Sequence, residues 1–562
     1  MKSAAIVALL ICIFALSAYS TPPTFSHIII VVQENRTPDN LFGGDPAFEL
    51  GVDLQRATGT PQPQPWCLGA CFSPDHEHPS WLKMWNGGGA GWNNGSHACE
   101  IIANNNCYID HVTHQPHTTY CNGQPIVLPS NQCTSKTWVS KSYDNGMVEP
   151  YYDIATRYGF ANYFFQTNQG PSYPAHQFLF SGTSSPSGVI GGPDYQFLVA
   201  DNPANPKVVG CNGNSDELVQ LANAAGDDDP QHEGVPQPVA PCFDHRSMAS
   251  LLDGHVTWKY YTQTKGDWAT SIWTAPNSLK DICGHDLNGR PCDSDDWNNK
   301  VDSRRAQILA DIQTCQLPQV SWVIPNGDAS DHPGFQKSET YSQENEKGPS
   351  WVAAIINAVG NSWAQSTVNG QNHQCDYWGT HTPVGTGHEP TVILVVWDDW
   401  GGWWDHVDPA TAVPVQDGND NCNVWGCGNT YGFRVPFLVV SAFMPTGTDR
   451  NPPFQGYVSG DTRTQGEQAP YIHDFGSILG FVENNFNLGI GNINPDYHFA
   501  DFFSPEQRAT PPTIPLADFF CAAPCTAQSF WSIPLPPGSM QPSDFFTDSD
   551  TSDPDDDAVD ND

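Results

Sequence analysis

Basic residues are scarce in this chain of 562 residues. Lys and Arg together number 22 against 61 Asp and Glu, which gives a formal net charge of −39. A surface of this sign repels phosphate backbones and anionic lipids, so the composition excludes nucleic acid and a charged membrane surface as electrostatic partners. Part of the acidic excess lies in residues 541–562, which hold nine Asp and no Lys or Arg and are predicted to be a disordered tail.

Long apolar runs are also lacking after the first twenty residues. Residues 1–20 combine Lys2, the stretch AAIVALLICIFAL and small residues before Thr21, which is the pattern of a secretory signal peptide. No later segment approaches the roughly 20 apolar residues that a membrane-spanning helix needs. The sequence therefore predicts a secreted, extracytoplasmic protein with no stable membrane anchor.

Regularly spaced cysteine motifs of the kind that hold structural zinc are missing. Cys12 falls in the predicted signal peptide, which leaves 16 cysteines, an even number that suits an oxidising compartment. Several cysteines form close pairs at irregular spacings, which favours local disulfides over zinc sites. The candidate pairs are Cys67 and Cys71, Cys283 and Cys292, Cys422 and Cys427, and Cys521 and Cys525.

Short runs rich in branched apolar residues predict buried parallel strands. These runs lie at residues 27–32, 319–325, 391–397 and 435–443. Helical patterns lie between and after them, at residues 303–315, 348–362 and 473–486. The alternation predicts an α/β fold with a mostly parallel sheet and helices on both faces. We expect one domain over residues 21–540, with loop insertions near 55–145 and 195–240.

Polar clusters follow three of the predicted strands. Glu34 and Asn35 come after the first strand, Asp398 and Asp399 after the third, and His332 after the second. In an open parallel sheet, ligands bind beyond the carboxyl ends of the strands. Clustered carboxylates need a cation, and an all-oxygen ligand set suits a hard divalent metal. The alternative, two unrelated surface turns, accounts for one acidic pair more easily than for both.

A candidate nucleophile lies in the segment QTNQGPSYPAHQFLFSG. Gly170 and Pro171 predict a turn, and Pro174 suits the first turn of a helix that begins just after Ser172. The N-terminus of a helix favours anions such as phosphate, because its N–H groups and its dipole both attract negative charge. A metal bound to the Ser172 oxygen would lower its pKa and activate it for attack. The alternative is that Ser172 only caps the helix.

Several motifs, in the same order along the chain, resemble the phosphoesterase family of bacterial phospholipases C and related acid phosphatases. The similar segments are HIIIVVQENRTPDNLFG, GPSYPAHQFLFSGT, DHPG, VVWDDWGGWWDHVDP, GFRVPFLVVSAF and HDFGSILGFVENNF. They span most of residues 26–486. The resemblance implies an alkaline-phosphatase-like α/β sandwich that hydrolyses phosphoesters through a divalent metal and a phosphorylated Ser or Thr.

The resemblance also implies roles for individual residues. Glu34 and Asn35 match the first pair of metal ligands of the family, and Asp398 and Asp399 match the second pair. Many relatives have Asp-Glu in the second pair, so Asp399 is a shorter ligand of the same chemistry. Ser172 falls at the nucleophile, which is also a metal ligand, although PAH follows it where many phospholipases have PNR.

Histidines complete the site that the resemblance implies. His332 in the DHPG motif matches a histidine that contacts the phosphate or protonates the leaving oxygen. Asp405 and His406 lie in the DHV element of the family and are expected to support the site. The family also has a histidine upstream of the nucleophile, for which we favour His78 from the following candidates: His76, His78, His111, His114 and His117.

Substrate and metal stay open at this point. The resemblance fits a phospholipid head group or a soluble phosphomonoester as substrate, and Ca, Mg, Mn or Zn as the metal. One alternative function is a secreted, non-catalytic carbohydrate-binding protein, because 19 Trp and many Gly- and Asn-rich loops could form a sugar-binding surface. The other is a sulfatase. Sulfatases commonly have a C/S-x-P-x-R motif, and the matching segment here, SYPAH from Ser172, lacks the arginine.

Overall fold

The computed structural model of this chain describes most of residues 22–546. The described residues are 22–43, 51–57, 65–68, 73–85, 103–104, 120–121, 124–125, 134–142, 146–186, 198–199, 202, 209–213, 217–222, 231, 237–262, 272–287, 289–304, 306–333, 347–365, 367–368, 371–372, 375–381, 389–409, 431–445, 456–468, 470–495, 499–521 and 525–546. The predicted signal peptide at residues 1–20 lies outside them. So do most of the two predicted loop insertions and the end of the acidic tail.

An eight-stranded sheet lies at the centre of the described fold. Its strands, in chain order, are β1 (His27–Gln33), β2 (Gly159–Ala161), β3 (Trp258–Tyr261), β4 (Val301–Asp302), β5 (Val320–Val323), β6 (Thr391–Trp397), β7 (Phe437–Ser441) and β8 (Tyr457–Ser459). Their order across the sheet is β4-β3-β5-β1-β6-β7-β2-β8. Strand β7 runs antiparallel to β6 and β2, and every other neighbouring pair is parallel.

The four predicted strands are all present, but one runs in the other direction. β1, β5 and β6 are parallel neighbours, as predicted, with β1 in the middle. β7 was predicted to be parallel and is antiparallel. Its apolar run marks a strand buried on both faces, and this pattern does not encode the strand's direction. The other four strands escaped prediction because they have only two to four residues each.

Helices surround this sheet. In chain order they are α1 (Pro38–Phe42), α2 (His78–Trp85), α3 (Glu149–Arg157), α4 (Ser172–Ser181), α5 (Met248–Leu252), α6 (Lys280–Cys283), α7 (Asp295–Lys300), α8 (Gln307–Gln313), α9 (Gly348–Gly360), α10 (Ser362–Gln365), α11 (Phe475–Asn485), α12 (Ala500–Phe503) and α13 (Pro505–Arg508). The predicted helices at 303–315, 348–362 and 473–486 correspond to α8, α9 and α11.

The remaining regular structure is short. Single turns of 3-10 helix lie at Thr134–Lys136, Ala275–Ser278, Gly327–Ala329, Ala517–Phe519 and Asp544–Phe546. Two-residue strands pair outside the main sheet, namely Pro65–Trp66 with Trp138–Val139, Ser73–Pro74 with Ala103–Asn104, Tyr120–Cys121 with Gln124–Pro125, Phe164–Phe165 with His473–Asp474, Leu198–Val199 with Leu221–Ala222, and Thr367–Val368 with Gln371–Asn372.

The helices pack on both faces of the sheet. Successive side chains of a strand point to opposite faces of the sheet. Trp322 of β5 is paired with Ile30 of β1, and Trp397 of β6 is paired with Gln33, three residues further along β1. Because three is an odd number, the two Trp side chains lie on opposite faces. Trp322 packs against Phe180 of α4 at a ring distance of 4.9 Å. Trp397 packs against Tyr151 of α3 on the other face, at 5.0 Å. The α/β architecture with helices on both faces is therefore confirmed.

Disulfides join several loops, as expected. The pairs Cys283–Cys292 and Cys521–Cys525 are bonded, which confirms two of the four predicted local staples. Two bonds of longer range, Cys211–Cys242 and Cys315–Cys375, were not predicted. Cys67 is also disulfide-bonded, and the other members of the predicted pairs, Cys71, Cys422 and Cys427, lie outside the described residues.

The packed structure extends past the predicted domain end at residue 540. Phe545, in the turn at Asp544–Phe546, is buried and lies 5.0 Å from the ring of Trp351 on α9. The first residues of the predicted tail therefore belong to the fold, because an aromatic side chain anchors them. Among the described helices, none has the length and apolar character to cross a bilayer.

Candidate active site

The tips of β1 and β6 lie side by side. Gln33 is paired with Trp397, and the ladder continues past the strands, because the N–H of Asp398 donates to the carbonyl of Gln33 at 2.9 Å. The N–H of Asn35 donates to Asp398 Oδ1 at 3.0 Å. Glu34, Asn35 and Asp398 are completely buried. The two predicted ligand pairs thus meet at the carboxyl end of neighbouring strands.

Helix α4 brings a serine and a histidine to the same place. The helix begins at Ser172 itself, with Pro171 as the capping residue. Ser172 Oγ donates a hydrogen bond to Asp399 Oδ2 at 3.0 Å. His176 Nε2 lies 3.1 Å from Glu34 Oε1 and 3.6 Å from Asp398 Oδ2. Because residues four apart share one helix face, Ser172 and His176 both point to the strand tips.

A two-glycine turn allows the chain to pass close to Asn35. Gly401 and Gly402 have positive φ angles of 60° and 69°, which favour glycine. A Cβ on Gly401 would lie 2.6 Å from the carbonyl oxygen of Asn35, which is too close for any side chain. The N–H of Gly401 donates to Asp399 Oδ1 at 2.6 Å. The turn therefore sets the orientation of Asp399 next to Ser172.

Of the two early histidines, it is His76 that reaches a predicted ligand. His76 Nε2 lies 3.0 Å from Asn35 Nδ2, and its Nδ1 lies 3.0 Å from the carbonyl of Pro74. His76 therefore carries its proton on Nδ1 and accepts from Asn35 on Nε2. His78, the residue favoured from the sequence, instead contacts the carbonyl of Gln169 at 3.1 Å. It lies on α2, beside the loop that precedes Ser172.

His332 lies beside these residues, on a loop after β5. Its ring is 6.3 Å from the ring of His76 and 6.0 Å from that of Trp273. Its Nδ1 lies 2.6 Å from the carbonyl of Pro333, so Nδ1 carries the proton of the neutral ring. Nε2 is therefore the nitrogen that carries no proton in the neutral ring.

The end of β1 also holds the loop of His332. Gln33 Nε2 donates to the carbonyl of Ala329 at 3.1 Å, and Gln33 Oε1 accepts from the N–H of Asp331 at 3.0 Å. The Arg36 guanidinium donates to the carbonyl of Asp331 at 2.7 Å. The segment Gln33–Arg36 therefore joins the two acidic pairs to the loop that carries His332.

Burial shifts the pKa values of two groups at the site. Burial, and after it the negative charge of Asp398, raises the pKa of Asp399 to about 8. Burial lowers the pKa of His176 to about 4, against the opposing influence of Asp398. With His176 neutral, three buried acidic side chains, those of Glu34, Asp398 and Asp399, lie at the two adjoining strand tips. Such a group is costly unless a cation joins it.

The polar atoms of the site fit a divalent metal. Asn35 Oδ1 and Asp398 Oδ2 are buried and have no hydrogen-bond partner among the residues that the structure describes. The ligand atoms of Glu34, His176 and Asp398 all lie within 4.8 Å of one another. Buried oxygen atoms without a hydrogen bond are rare in folded proteins. Because these two atoms belong to residues beside the buried acidic group, a cation bound there would satisfy them.

Asp405 and His406 lie in a buried ionic network next to α1. Arg434 makes two bonds to Asp405, at 2.8 Å and 3.0 Å. His406 Nδ1 lies 2.7 Å from Asp39 Oδ2 on α1, and its Nε2 lies 3.0 Å from Asp53 Oδ1. The network ties the loop after β6 to the helix after β1. The described contacts of Asp405 and His406 thus lie in this network, and none of them is to Ser172.

Two site residues were missed by the sequence analysis. His176 was noted only as part of a departure from the family pattern, although its spacing of four residues from Ser172 places both on one helix face. His76 was passed over in favour of His78, and nothing in the sequence distinguishes two histidines in one loop. Gln33, by contrast, is the last residue of β1, and its role depends on a contact that only the fold reveals.

The fold combines a mostly parallel sheet, a buried acidic group at two strand tips, and a serine at the N-terminus of a helix. The chain belongs to the phosphoesterase family, whose profile matches residues 25–368 and 348–489. Over 486 residues it is 23% identical to the hemolytic phospholipase C of Pseudomonas aeruginosa, a match that covers 84% of this chain and 54% of that protein.

Two further relatives are similar over shorter lengths. The non-hemolytic phospholipase C of Pseudomonas aeruginosa is 22% identical over 357 residues, which cover 61% of this chain and 40% of that protein. Phospholipase C B of Mycobacterium tuberculosis is 25% identical over 211 residues, or 34% of this chain and 35% of that protein. The chain therefore spans about half the length, or less, of the curated relatives it matches.

Proposed function

We propose that this protein is a secreted, metal-dependent phosphoester hydrolase that works through a phosphoserine at Ser172. The observation that carries the proposal is the 3.0 Å hydrogen bond from Ser172 Oγ to Asp399, at the point where two acidic strand tips meet. Family membership and the names of the three relatives above, each a phospholipase C, support hydrolysis of a phosphoester. The disulfides support an oxidising compartment outside the cytoplasm.

Glu34, Asn35, Asp398, Asp399 and the oxygen of Ser172 are the proposed ligands of a divalent metal, with Ca, Mg, Mn and Zn as candidates. When bound, the metal supplies positive charge that stabilises the serine alkoxide and the charge that develops on the phosphoryl group. Binding also compensates the buried carboxylates. The unpartnered oxygens of Asn35 and Asp398 support this assignment.

The chemistry of the first half-reaction falls to Ser172, Asp399 and His332. Ser172 Oγ forms a bond to phosphorus while the bond from phosphorus to the leaving oxygen breaks. The serine proton passes to Asp399 Oδ2, which already accepts it in a hydrogen bond. His332, in the form protonated on both ring nitrogens, donates the proton of Nε2 to the leaving oxygen. In the second half-reaction, a water oxygen bonds to phosphorus while the bond from phosphorus to Ser172 Oγ breaks. His332 Nε2 takes the proton of the water, and Asp399 returns its proton to Ser172 Oγ, which restores the hydroxyl.

The two early histidines have different proposed positions in the site. His76 accepts a hydrogen bond from Asn35 and so fixes which atom of that amide, Oδ1, faces the metal site. His78, bound to the carbonyl of Gln169, orders the turn that leads into α4. Asp405 and His406 support the loop after β6 in the same indirect way.

The experiment that tests the proposal is a quench of the working enzyme, followed by peptide mass mapping. Phosphate on the peptide that contains Ser172 is the expected result. Ser172→Ala should lose nearly all turnover, although replacing a residue at a helix N-terminus costs only about 1 kcal/mol of stability. Ser181→Ala, which changes a buried serine at the other end of α4, is the matched control and should keep its activity. Full turnover in Ser172→Ala contradicts the proposal.

The substrate class is tested in the same assays. Purified enzyme is offered phosphatidylcholine and p-nitrophenyl phosphate, each with and without a chelator. Hydrolysis of the first supports a phosphodiester substrate with a lipid head group, and hydrolysis of the second alone supports a soluble phosphomonoester. Activity that survives complete removal of metal contradicts the metal dependence.

The alternative of a carbohydrate-binding protein finds little support in the exposure of the aromatic residues. A sugar-binding platform needs tryptophan rings that face solvent. The exposed large apolar side chains of the described residues are Leu82, Leu218, Phe502 and Phe546, with no Trp among them. The indoles near the acidic pairs, Trp397, Trp400, Trp403 and Trp404, are buried.

A further inference from the structure

His176 is the one residue of the site that the family pattern did not supply. It is buried on α4, one turn after Ser172, and its Nε2 atom faces the carboxylates of Glu34 and Asp398. A single N–H can satisfy only one of two carboxylate oxygens. Nε2 makes a hydrogen bond with Glu34 Oε1 at 3.1 Å, whereas Asp398 Oδ2, at 3.6 Å, has no hydrogen-bond partner among the described residues and needs another explanation.

We propose that His176 Nε2 is a ligand of the same ion as Glu34 and Asp398, so that the site selects a transition-metal ion over Ca²⁺ and Mg²⁺. The inference rests on the proposed metal-dependent hydrolysis and adds the class of metal. Imidazole nitrogen suits Zn²⁺ and its first-row neighbours, whereas Ca²⁺ and Mg²⁺ take oxygen ligands almost without exception.

The spacing of the ligand atoms carries the argument. Bonds of about 2.1 Å to one ion place neighbouring ligand atoms roughly 3.0 Å apart in an octahedral site and roughly 3.4 Å apart in a tetrahedral one. His176 Nε2 lies 3.1 Å and 3.6 Å from the nearest oxygens of Glu34 and Asp398. Both distances from His176 Nε2 therefore match the spacing of ligand atoms around one small ion, and the three atoms lie within 4.8 Å of one another.

The surroundings support a bound ion at this point. Asp398 Oδ2, the oxygen that faces His176, has no hydrogen-bond partner in the described part of the chain, and neither does Asn35 Oδ1. Asp398 Oδ1 is occupied, because it accepts from the N–H groups of Asn35 and Asp399. One carboxylate oxygen is thus used by the protein and the other is directed at the histidine.

A rival role for His176 makes the opposite prediction. If His176 were a positively charged counter-ion to Glu34 and Asp398, it would compete with any cation for these carboxylates. Its removal would then strengthen binding of Ca²⁺ and Co²⁺ alike. If His176 is a ligand, its removal weakens Co²⁺ binding selectively.

The test compares the full-length protein with His176→Asn, both stripped of metal and titrated with Co²⁺ and with Ca²⁺. We expect the substitution to weaken Co²⁺ binding about tenfold or more, and to change Ca²⁺ binding much less. X-ray absorption of the Co²⁺-loaded wild-type protein should show scattering from an imidazole, which His176→Asn should lose. His27→Asn is the matched control, because His27 is also buried but lies at the other end of β1, roughly 20 Å away.

Each other outcome overturns the inference. Equal or tighter binding of both ions by His176→Asn identifies a counter-ion, and an oxygen-only spectrum of the wild-type protein excludes the nitrogen ligand. An oxygen-only spectrum with metal-dependent phosphoester hydrolysis leaves the proposed function intact. A wild-type protein that binds neither ion contradicts that function as well. If His176→Asn does not fold, the wild-type spectrum and His176→Gln decide the question.

Discussion

His406 is predicted to hold a positive charge whose removal costs stability in a pH-dependent way. The ring lies between Asp39 at 2.7 Å and Asp53 at 3.0 Å, and Arg434 neutralises the neighbouring Asp405. Burial alone would lower the pKa of His406, but these two carboxylates raise it to about 10. The perturbation is His406→Gln, which keeps a polar side chain of similar size and removes the charge.

The size of the effect follows from the pKa. Because one pKa unit is worth about 1.36 kcal/mol, a rise from 6.5 to about 10 corresponds to roughly 5 kcal/mol of stabilisation. Since the folded pKa lies above the unfolded one, this stability is fully present below pH 6.5 and is lost as the pH rises through about 10. His406→Gln should thus cost up to roughly 5 kcal/mol near pH 6, and only about 1 kcal/mol near pH 10, where the uncharged ring can still donate a hydrogen bond to one carboxylate.

Urea unfolding of the wild-type protein and of His406→Gln, at several pH values between about 6 and 10, measures this difference. His473 also has a pKa raised to about 10, where burial is outweighed by Asp518 and Glu506, so the wild-type curve has a second contribution of the same sign. The difference between the two proteins isolates His406. His255→Gln, at an exposed position, is the control and should change stability by less than about 0.5 kcal/mol.

A stability difference that stays constant over this pH range would refute the reasoning, because it would mean that folding leaves the pKa of His406 unchanged. A difference that grows with pH would mean that folding lowers the pKa of His406 instead of raising it. Either result would leave Asp39 and Asp53 without a charged partner on the loop after β6.

Three further predictions concern the site and the disulfides. His332→Ala should reduce turnover more for substrates with poor leaving groups than for nitrophenyl esters, and equal losses would assign His332 to phosphate binding instead of proton transfer. Gly401→Ala should lower bound metal and activity, because its Cβ would lie 2.6 Å from the Asn35 carbonyl, whereas Gly254→Ala, with a φ of 77° and open space around it, should lose stability alone. Thiol titration of the denatured, unreduced protein should find few free thiols among the 16 cysteines after residue 20, and a majority of free thiols would contradict an oxidising compartment.

The sequence predicted the strands that build the site because their apolar runs are long. β1, β5 and β6 are buried on both faces, so their composition identifies them, and the rule for ligands in parallel sheets then brings Glu34 and Asp398 together. The direction of β7 could not be predicted, because an apolar run has the same composition in either direction. β4 has two residues and leaves no pattern to detect.

The site was predicted less completely than the sheet that carries it. The acidic pairs follow strands directly, and Ser172 is marked by the turn and the proline around it. To predict His176, one must also place it on the same helix face as Ser172. The choice between His76 and His78 depends on the conformation of the chain before the helix that begins at His78. Contacts of the kind that Gln33 makes with the His332 loop join segments almost 300 residues apart, and no local pattern encodes them.

The spacing between the two acidic pairs is set by the backbone. Gln33 and Trp397 are hydrogen-bonded neighbours in one sheet, and adjacent strands lie about 4.8 Å apart whatever side chains they carry. The opening available to an ion is therefore nearly fixed, and only the lengths of the side chains around it can vary. A protein engineer who wished to change the preferred ion would exchange a side chain, such as Asp399 for a Glu, and would gain nothing by repacking the core beneath the sheet.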